Sequence, residues 1–349
     1  TPVPPHPEVP VSFKAPDIQS VHFPAFRSSL PSMSGRTVVI TGTTSGTGKV
    51  AARAVAEFGA KVLLLNRASS RSDASFAELG EAVPDAVLHQ VECDLQSFKS
   101  VTAAAARVRE LCPEGVHVLA NNAGVMALSD VATTDGFDVQ MQTNHLSHFL
   151  LTRELMPLLE RAAKASGDAR VVNHSSVARM APSKTLRPEY LEKKGGDLGG
   201  DGSGFQNATF RGPRWLRYNQ SKLANCAFTA ALHHKLQDRG SSVKAFVAHP
   251  GLANTNLQQT SVKEGGMGAT LTSMMMRMSQ STEDGAMGLI SGMCLPGAVS
   301  GQFYGPGSSA TSMKGEAKPF ALERYYDNAA TRDLLWQKSE EAVGGPFAV

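Results

Sequence analysis

Apolar positions along the chain follow two alternating rhythms. Short, nearly unbroken runs at 37–41, 61–66, 86–92, 116–121, 169–175 and 243–249 have the length and β-branched character of strands buried on both faces. Between them, Thr47 to Phe58 and stretches near 97–111, 136–163 and 216–238 repeat their apolar residues with helical spacing. Alternation of this kind predicts an α/β fold: a single-domain, doubly wound parallel sheet with right-handed crossovers and helices on both faces. No internal repeat and no second domain interrupts it.

Three stretches fall outside the rhythm. Residues 1–34 carry Pro2, Pro4, Pro5, Pro7, Pro10, Pro16, Pro24 and Pro31. Proline fixes φ and removes a donor, so an extended arm is expected, lying along its own domain or docking on another subunit. Residues from about 179 to 214 are rich in Gly, Lys and Asp and read as a surface excursion, a lid or a floppy insertion. The third, about 256–295, holds Met267, Met274, Met275, Met276, Met278, Met287 and Met293.

Composition narrows the function classes. With 42% hydrophobic and 19% charged residues, the chain can bury a large core. A net charge of +3 and the lack of a basic block with interleaved aromatics argue against a nucleic-acid partner. No run approaches the ~18 apolar residues of a transmembrane helix. The four cysteines, Cys93, Cys112, Cys226 and Cys294, are scattered, which points to reduced thiols in an intracellular compartment and not to a disulfide framework. The chain starts at Thr1, which reads as a trimmed N-terminus. A removed targeting segment would leave cytoplasm and organelle, such as the chloroplast, equally open.

Chemistry enters at the strand ends. The first strand runs into Thr41, Gly42, Thr43, Thr44, Ser45, Gly46, Thr47 and Gly48, a glycine-rich turn opening a helix. Such a turn brings backbone N–H groups against a pyrophosphate. The spacing is not that of a Walker loop, since five residues separate Gly42 from Gly48 and Val50 stands where Ser or Thr is needed. The second strand ends in Asn66 and Arg67, with Arg71 beyond. An acidic residue there would accept the ribose hydroxyls of NAD(H); an uncharged Asn and a guanidinium suit a 2′-phosphate, so NADP(H) is the expected cofactor. Asp94 and Leu95 follow the third strand, with the Asp94 carboxylate placed for the adenine. Asn122, Ala123 and Gly124 follow the fourth, small residues where a ligand must come close. On the last long helical stretch, Tyr218 and Lys222 are four apart and share a face. An ammonium beside a phenol is expected to lower its pKa and let it exchange a proton with a reacting oxygen.

Taken together, the TGxxxGxG turn, the NNAG segment, Asn144, Ser176, Tyr218 with Lys222, and Pro250-Gly251 with Thr255 resemble the short-chain dehydrogenase/reductase family over roughly residues 35–345. The resemblance implies a Rossmann-like catalytic domain and a tetrad of Asn144, Ser176, Tyr218 and Lys222. Ser176 would donate to the substrate oxygen, with Ser175 as the neighbouring alternative. Asn144 would hold a relay water, Lys222 would also grip the nicotinamide ribose, and Thr255 would contact the carboxamide or pyrophosphate. The segments 143–152 and 218–225 look like the retinol dehydrogenase and protochlorophyllide reductase group. Ser176 and Tyr218 are 42 positions apart, a long interval that protochlorophyllide reductases share. Leu252 stands where those enzymes carry a cysteine, which argues against light-driven chemistry.

His145 and His148 are three apart on a helix but lack a third ligand at matching spacing, so packing is preferred and no metal site is expected. His174 reads as pocket lining, Cys226 as a small buried side chain, and Trp215 and Trp336 as packing. The methionines suit irregular apolar ligands. The expected function is therefore NADP(H)-dependent hydride transfer to or from a small, lipophilic carbonyl or alcohol. The alternative is a structural or regulatory subunit with little turnover, docked through the arm or in a homo-oligomer. A sugar-nucleotide epimerase is disfavoured by the glycine spacing.

Overall fold

A computed structural model describes residues 16–349. Eight strands form one sheet: β1 (Thr37–Thr41), β2 (Lys61–Asn66), β3 (Leu88–Glu92), β4 (Val118–Asn121), β5 (Ala169–His174), β6 (Val243–Ala248), β7 (Gln302–Pro306) and β8 (Ala317–Ala321). Their order is β3-β2-β1-β4-β5-β6-β7-β8, all parallel except β8 against β7. The helices are α1 (Phe23–Ser28), α2 (Gly46–Glu57), α3 (Ser70–Ala82), α4 (Phe98–Leu111), α5 (Val139–Met141), α6 (Ser147–Ser166), α7 (Gly204–Ala208), α8 (Pro213–Asp238), α9 (Asn256–Lys263), α10 (Ala269–Met276), α11 (Thr282–Cys294) and α12 (Ala329–Val343).

Side chains alternate along each central strand into two cores. Val39, Leu63 and Leu65 pack with α4, α6, α8 and α12 on one face. Val38, Ile40, Val62 and Leu64 pack with α2 and α11 on the other. Both faces being buried, the strands need apolar residues at every position. The order reverses between β1 and β4, and a crevice opens at the C-terminal ends of the strands there. The two strands not foreseen, β7 and β8, contain Gly305, Pro306 and Pro319, residues that read as turns. Pro319 is tolerated because β8 is an edge strand.

The N-terminal arm departs from its expectation. Pro2, Pro4, Pro5, Pro7 and Pro10 lie outside the described residues, but Phe23–Ser28 is helical, with Pro24 in the first turn where its missing N–H costs nothing. The Asp284 carboxylate at the start of α11 anchors this segment. It accepts from Ser20 Oγ (2.7 Å) and from the backbone N–H groups of Val21 (2.9 Å), His22 (3.0 Å) and Phe23 (2.8 Å).

Nor is the 179–214 excursion floppy. Arg217, fully buried on α8, donates to Leu198 O (3.1 Å) and Gly200 O (2.8 Å) and pairs with Asp138 at 3.2 Å. Asp130 accepts from the N–H groups of Leu198 (2.9 Å) and Gly200 (2.7 Å). A Gly-rich stretch is thus pinned by charged groups remote from it in sequence. The methionine-rich stretch divides: Met276, Met287 and Met293 are buried, Met274 and Met278 are exposed, and Met267 and Met275 face the crevice.

Candidate active site

The crevice is a cleft of about 890 Å³ running from the glycine turn to the N-terminal half of α8. At the turn, Gly42 (φ +72°) and Gly46 (φ +62°) adopt left-handed backbone that favours glycine. A Cβ on Gly42 would stand 2.7 Å from Ala123 Cα, and one on Gly48 would stand 2.3 Å from both Asn122 Nδ2 and Gly42 O. Gly48 is therefore a packing glycine behind the cleft, whereas Gly42, Thr44, Ser45, Gly46 and Thr47 line it. Ser45 caps α2 without a side-chain hydrogen bond, leaving the first N–H groups of the helix available to an anion.

The floor is stitched by Thr41 and Asn122. Thr41 Oγ1 accepts from the N–H groups of Asn122 and Ala123 (both 3.0 Å), and Asn122 Nδ2 donates to Thr41 O (2.9 Å) and Gly42 O (3.0 Å). Asn66 braces the turn: its Oδ1 accepts from Thr43 N and its Nδ2 donates to Thr43 Oγ1, each at 2.8 Å. Arg67 and Arg71 stand exposed on the rim, and among the described residues neither has an acidic partner. Asp94 and Leu95 line the cleft, with Asp94 Oδ1 accepting from Gln96 N (3.0 Å). Pro250, Gly251 and Thr255 close the opposite side. Thr255 caps α9 and lies 3.5 Å from where a Gly46 Cβ would be, bringing α9 beside the glycine turn.

Along α8, Trp215, Tyr218, Asn219 and Lys222 all line the cleft, the i, i+3, i+4, i+7 set of one helical face. Ser176 caps the short 3-10 turn Val177–Met180, its Oγ accepting from Ala178 N (3.2 Å), and its hydroxyl lies beside the Tyr218 phenol. Ser175 points elsewhere: its hydroxyl donates to Lys222 O (2.7 Å) and accepts from Cys226 Sγ (3.1 Å). Lys222 Nζ donates to His174 O (3.0 Å) and lies 5.8 Å from the Tyr218 ring centre.

Asn144 is the one tetrad member off the cleft wall, fully buried in a π-helical segment, Gln142–Leu146, between α5 and α6. Such one-turn widenings concentrate at functional sites. Its Oδ1 accepts from Val125 N (2.8 Å), and its Nδ2 donates to Val125 O (3.0 Å) and Ser221 Oγ (2.8 Å). Gly124 lies between it and the lysine, where a Cβ would come within 3.1 Å of Asn144 Oδ1 and 3.2 Å of Lys222 Nζ.

The electrostatics reverse one expectation. Burial pushes the Tyr218 phenol up to about 12, opposed by the Ser176 hydroxyl beside it. Burial also brings Lys222 down to about 8. In both groups desolvation is the largest cause of the shift. His174 is likewise driven down by burial, to about 3, and with its Nδ1 2.8 Å from Asn122 Oδ1 it lines the pocket as a neutral ring. His148 is held by Thr41 Oγ1 (2.9 Å) and Asn144 O (3.0 Å), and His145 by Ser339 Oγ (2.8 Å). Among the described residues no group of three His, Cys, Asp or Glu is placed to hold a metal.

Sequence reasoning reached the far end of the cleft only through its methionines. Met126, Ala127, Trp215, Tyr218 and Met267 form an apolar cluster there, flanked by Ala178, Phe210, Leu257 and Met275. Trp215 is wall and not mere packing, its indole N–H donating to Gly266 O (2.9 Å) and Phe210 lying edge-on at 4.8 Å. Its position three before Tyr218 was the available signal. Ala127 (φ +51°) and Phe210 (φ +59°), the non-glycine residues with positive φ among those described, both flank this end. Strained backbone gathers at binding sites.

The short chain dehydrogenase family model matches residues 36–191. Over 223 residues the chain is 35% identical to Retinol dehydrogenase 13 of Homo sapiens, covering 64% of this chain and 60% of that protein. It is 34% identical, also over 223 residues, to the chloroplastic short-chain dehydrogenase TIC 32 A of Brassica napus (63% and 65%). The matched part thus spans under two thirds of these curated relatives. A crystal structure of an uncharacterised protein of Mycobacterium paratuberculosis superposes with a TM-score of 0.69 at 32% identity, covering 93% of this chain and 98% of that one. No helix among the described residues is long and apolar enough to cross a membrane.

Proposed function

From a chain that belongs to the short-chain dehydrogenase family, in its retinol dehydrogenase-like group, we propose an NADP(H)-dependent oxidoreductase that moves hydride between nicotinamide and a lipophilic carbonyl or alcohol. Residues 35–345 act as the catalytic domain. The observation that carries the reading is the convergence of Ser176, Tyr218 and Lys222 on a cleft whose other end is a glycine turn at a helix N-terminus.

The glycines, the free N–H groups of α2 and the unpaired Arg67 and Arg71 fit a phosphorylated dinucleotide. When bound, the nicotinamide supplies or accepts the hydride. Tyr218, protonated at neutral pH, is set to exchange its proton with the reacting oxygen. Ser176 orients that oxygen by donating to it, Lys222 holds the ribose, and Asn144 fixes the backbone at Val125 beside the lysine. The cluster around Trp215 and Met267 excludes water and favours an apolar substrate.

NADPH consumption against aldehydes, ketones and quinones tests the assignment. Tyr218→Phe should lower kcat by roughly 10²–10⁴-fold, the usual worth of a general acid, while NADPH still binds. Undiminished turnover in that variant would remove Tyr218 from the mechanism.

A further inference from the structure

The wall of the cleft carries a polar side chain that the chemistry above does not use. Asn219 follows Tyr218 on α8, is 4% exposed, and lines the cleft. Its place four residues after Trp215 puts it one turn further along the helical face that carries the substrate-side wall. Among the described residues its carboxamide has neither donor nor acceptor partner, although neighbouring polar groups do. Gln258 donates to Ala253 O (3.1 Å), Thr260 to Asn256 O (3.1 Å), and Ser176 accepts from Ala178 N (3.2 Å). Thr143 Oγ1 also lacks a partner, but that atom is sealed from solvent. The Asn219 amide is not sealed, so what little surface it exposes opens into the cleft.

Buried amides are normally satisfied, because leaving two donors and an acceptor dry is costly. An amide that has no protein partner and opens into a cleft also lined by Trp215, Met126 and Met267 is available to a ligand. We propose that Asn219 is a specificity-determining residue that hydrogen-bonds a second oxygen of the substrate. The substrate class is then a lipophilic carbonyl compound bearing a hydroxyl or second carbonyl near the reacting one, not a plain hydrocarbon ketone. This inference rests on the carbonyl-reductase reading and narrows it.

Matched ketones test it: 1-tetralone and 1-decalone, each against its hydroxylated and diketone analogues, with NADPH and the intact protein. The wild type should prefer the best oxygenated analogue over its parent by at least ~10-fold in kcat/KM. Asn219→Leu, and Asn219→Ala as the variant gentler on packing, should bring that ratio towards one, each first checked for a native melting transition with NADPH. A wild type with no preference, or a preference surviving in both variants, overturns the assignment of Asn219 while leaving carbonyl reduction standing. No turnover of any ketone overturns both.

Discussion

Replacing Lys222 with methionine should remove activity yet make the ligand-free protein more stable. Lys222 is buried on α8 with no carboxylate partner among the described residues, and burial brings its pKa from 10.5 down to about 8. At neutral pH the folded protein therefore holds an ammonium that prefers water. Since folded and unfolded states differ in proton affinity, the fall to about 8 amounts to about 3 kcal/mol of lost stability at pH 7. The loss is absent above the unfolded pKa and grows as pH falls from 10.5 to about 8, where the unfolded chain binds the proton and the folded one does not. Methionine matches the stem without the charge. The hydrogen bond to His174 O disappears, at a cost of about 1 kcal/mol, but that carbonyl keeps the Asn225 Nδ2 donor at 3.0 Å. Urea unfolding of the cofactor-free proteins should thus show Lys222→Met about 2 kcal/mol more stable at pH 7, with the gap closing towards zero at pH 10. Saturating NADPH should reverse the order, because binding stabilises only the protein that holds it well. A variant less stable than wild type at pH 7, or a gap independent of pH, refutes the reasoning.

Arg67→Asp should raise the KM for NADPH relative to NADH by roughly 10–100-fold, since it swaps a phosphate clamp for a repulsive charge; an unchanged ratio of Michaelis constants means Arg67 does not read the 2′-phosphate. Gly48→Ala forces a methyl to within 2.3 Å of Asn122 Nδ2 and Gly42 O, so calorimetry should find NADPH affinity reduced at least ~10-fold, and native affinity would show that the turn yields freely. Asp284→Ala strips one hydroxyl and three N–H donors of their acceptor and should destabilise by about 2–4 kcal/mol in urea. Burial alone would raise the Asp284 pKa; its four donors outweigh that and hold it below the ordinary carboxylate range. Its stabilisation is therefore present above about pH 4 and fades in acid, where wild-type and variant unfolding curves should converge; parallel curves down to pH 2 would contradict the anchor.

Much of the sheet was legible because its information is local. A strand buried on both faces must be apolar throughout, and β1, β2, β5 and β6 announce themselves within one or two residues of their ends. What stayed hidden depends on partners far along the chain. Pro24 reads as extended until Asp284 appears 260 residues later to collect the N–H groups before it. The glycines of 195–202 read as slack until Arg217 and Asp130 are seen to hold their backbone. β8 is invisible to pattern because an edge strand needs only one paired side, so Lys318 and Pro319 are allowed there.

At the site, spacing on a helix gave facing correctly but not charge. Four positions place Tyr218 and Lys222 on one wall, and the same rule extends to Trp215 and Asn219, which were within reach of it. Spacing also left Ser175 and Ser176 undivided, because only β5's exit geometry turns one hydroxyl onto Lys222 O and leaves the other on the cleft wall beside the phenol. The direction of the tyrosine's pKa needed a quantity no local pattern contains, the depth at which α8 is packed. At that depth desolvation dominates both groups, so the phenol is a held proton and the lysine a loosely held one. A neutral phenol beside a marginal ammonium is the resting state from which the proposed proton exchange would start, and the same burial that sets it is what makes Lys222 a burden on the empty fold.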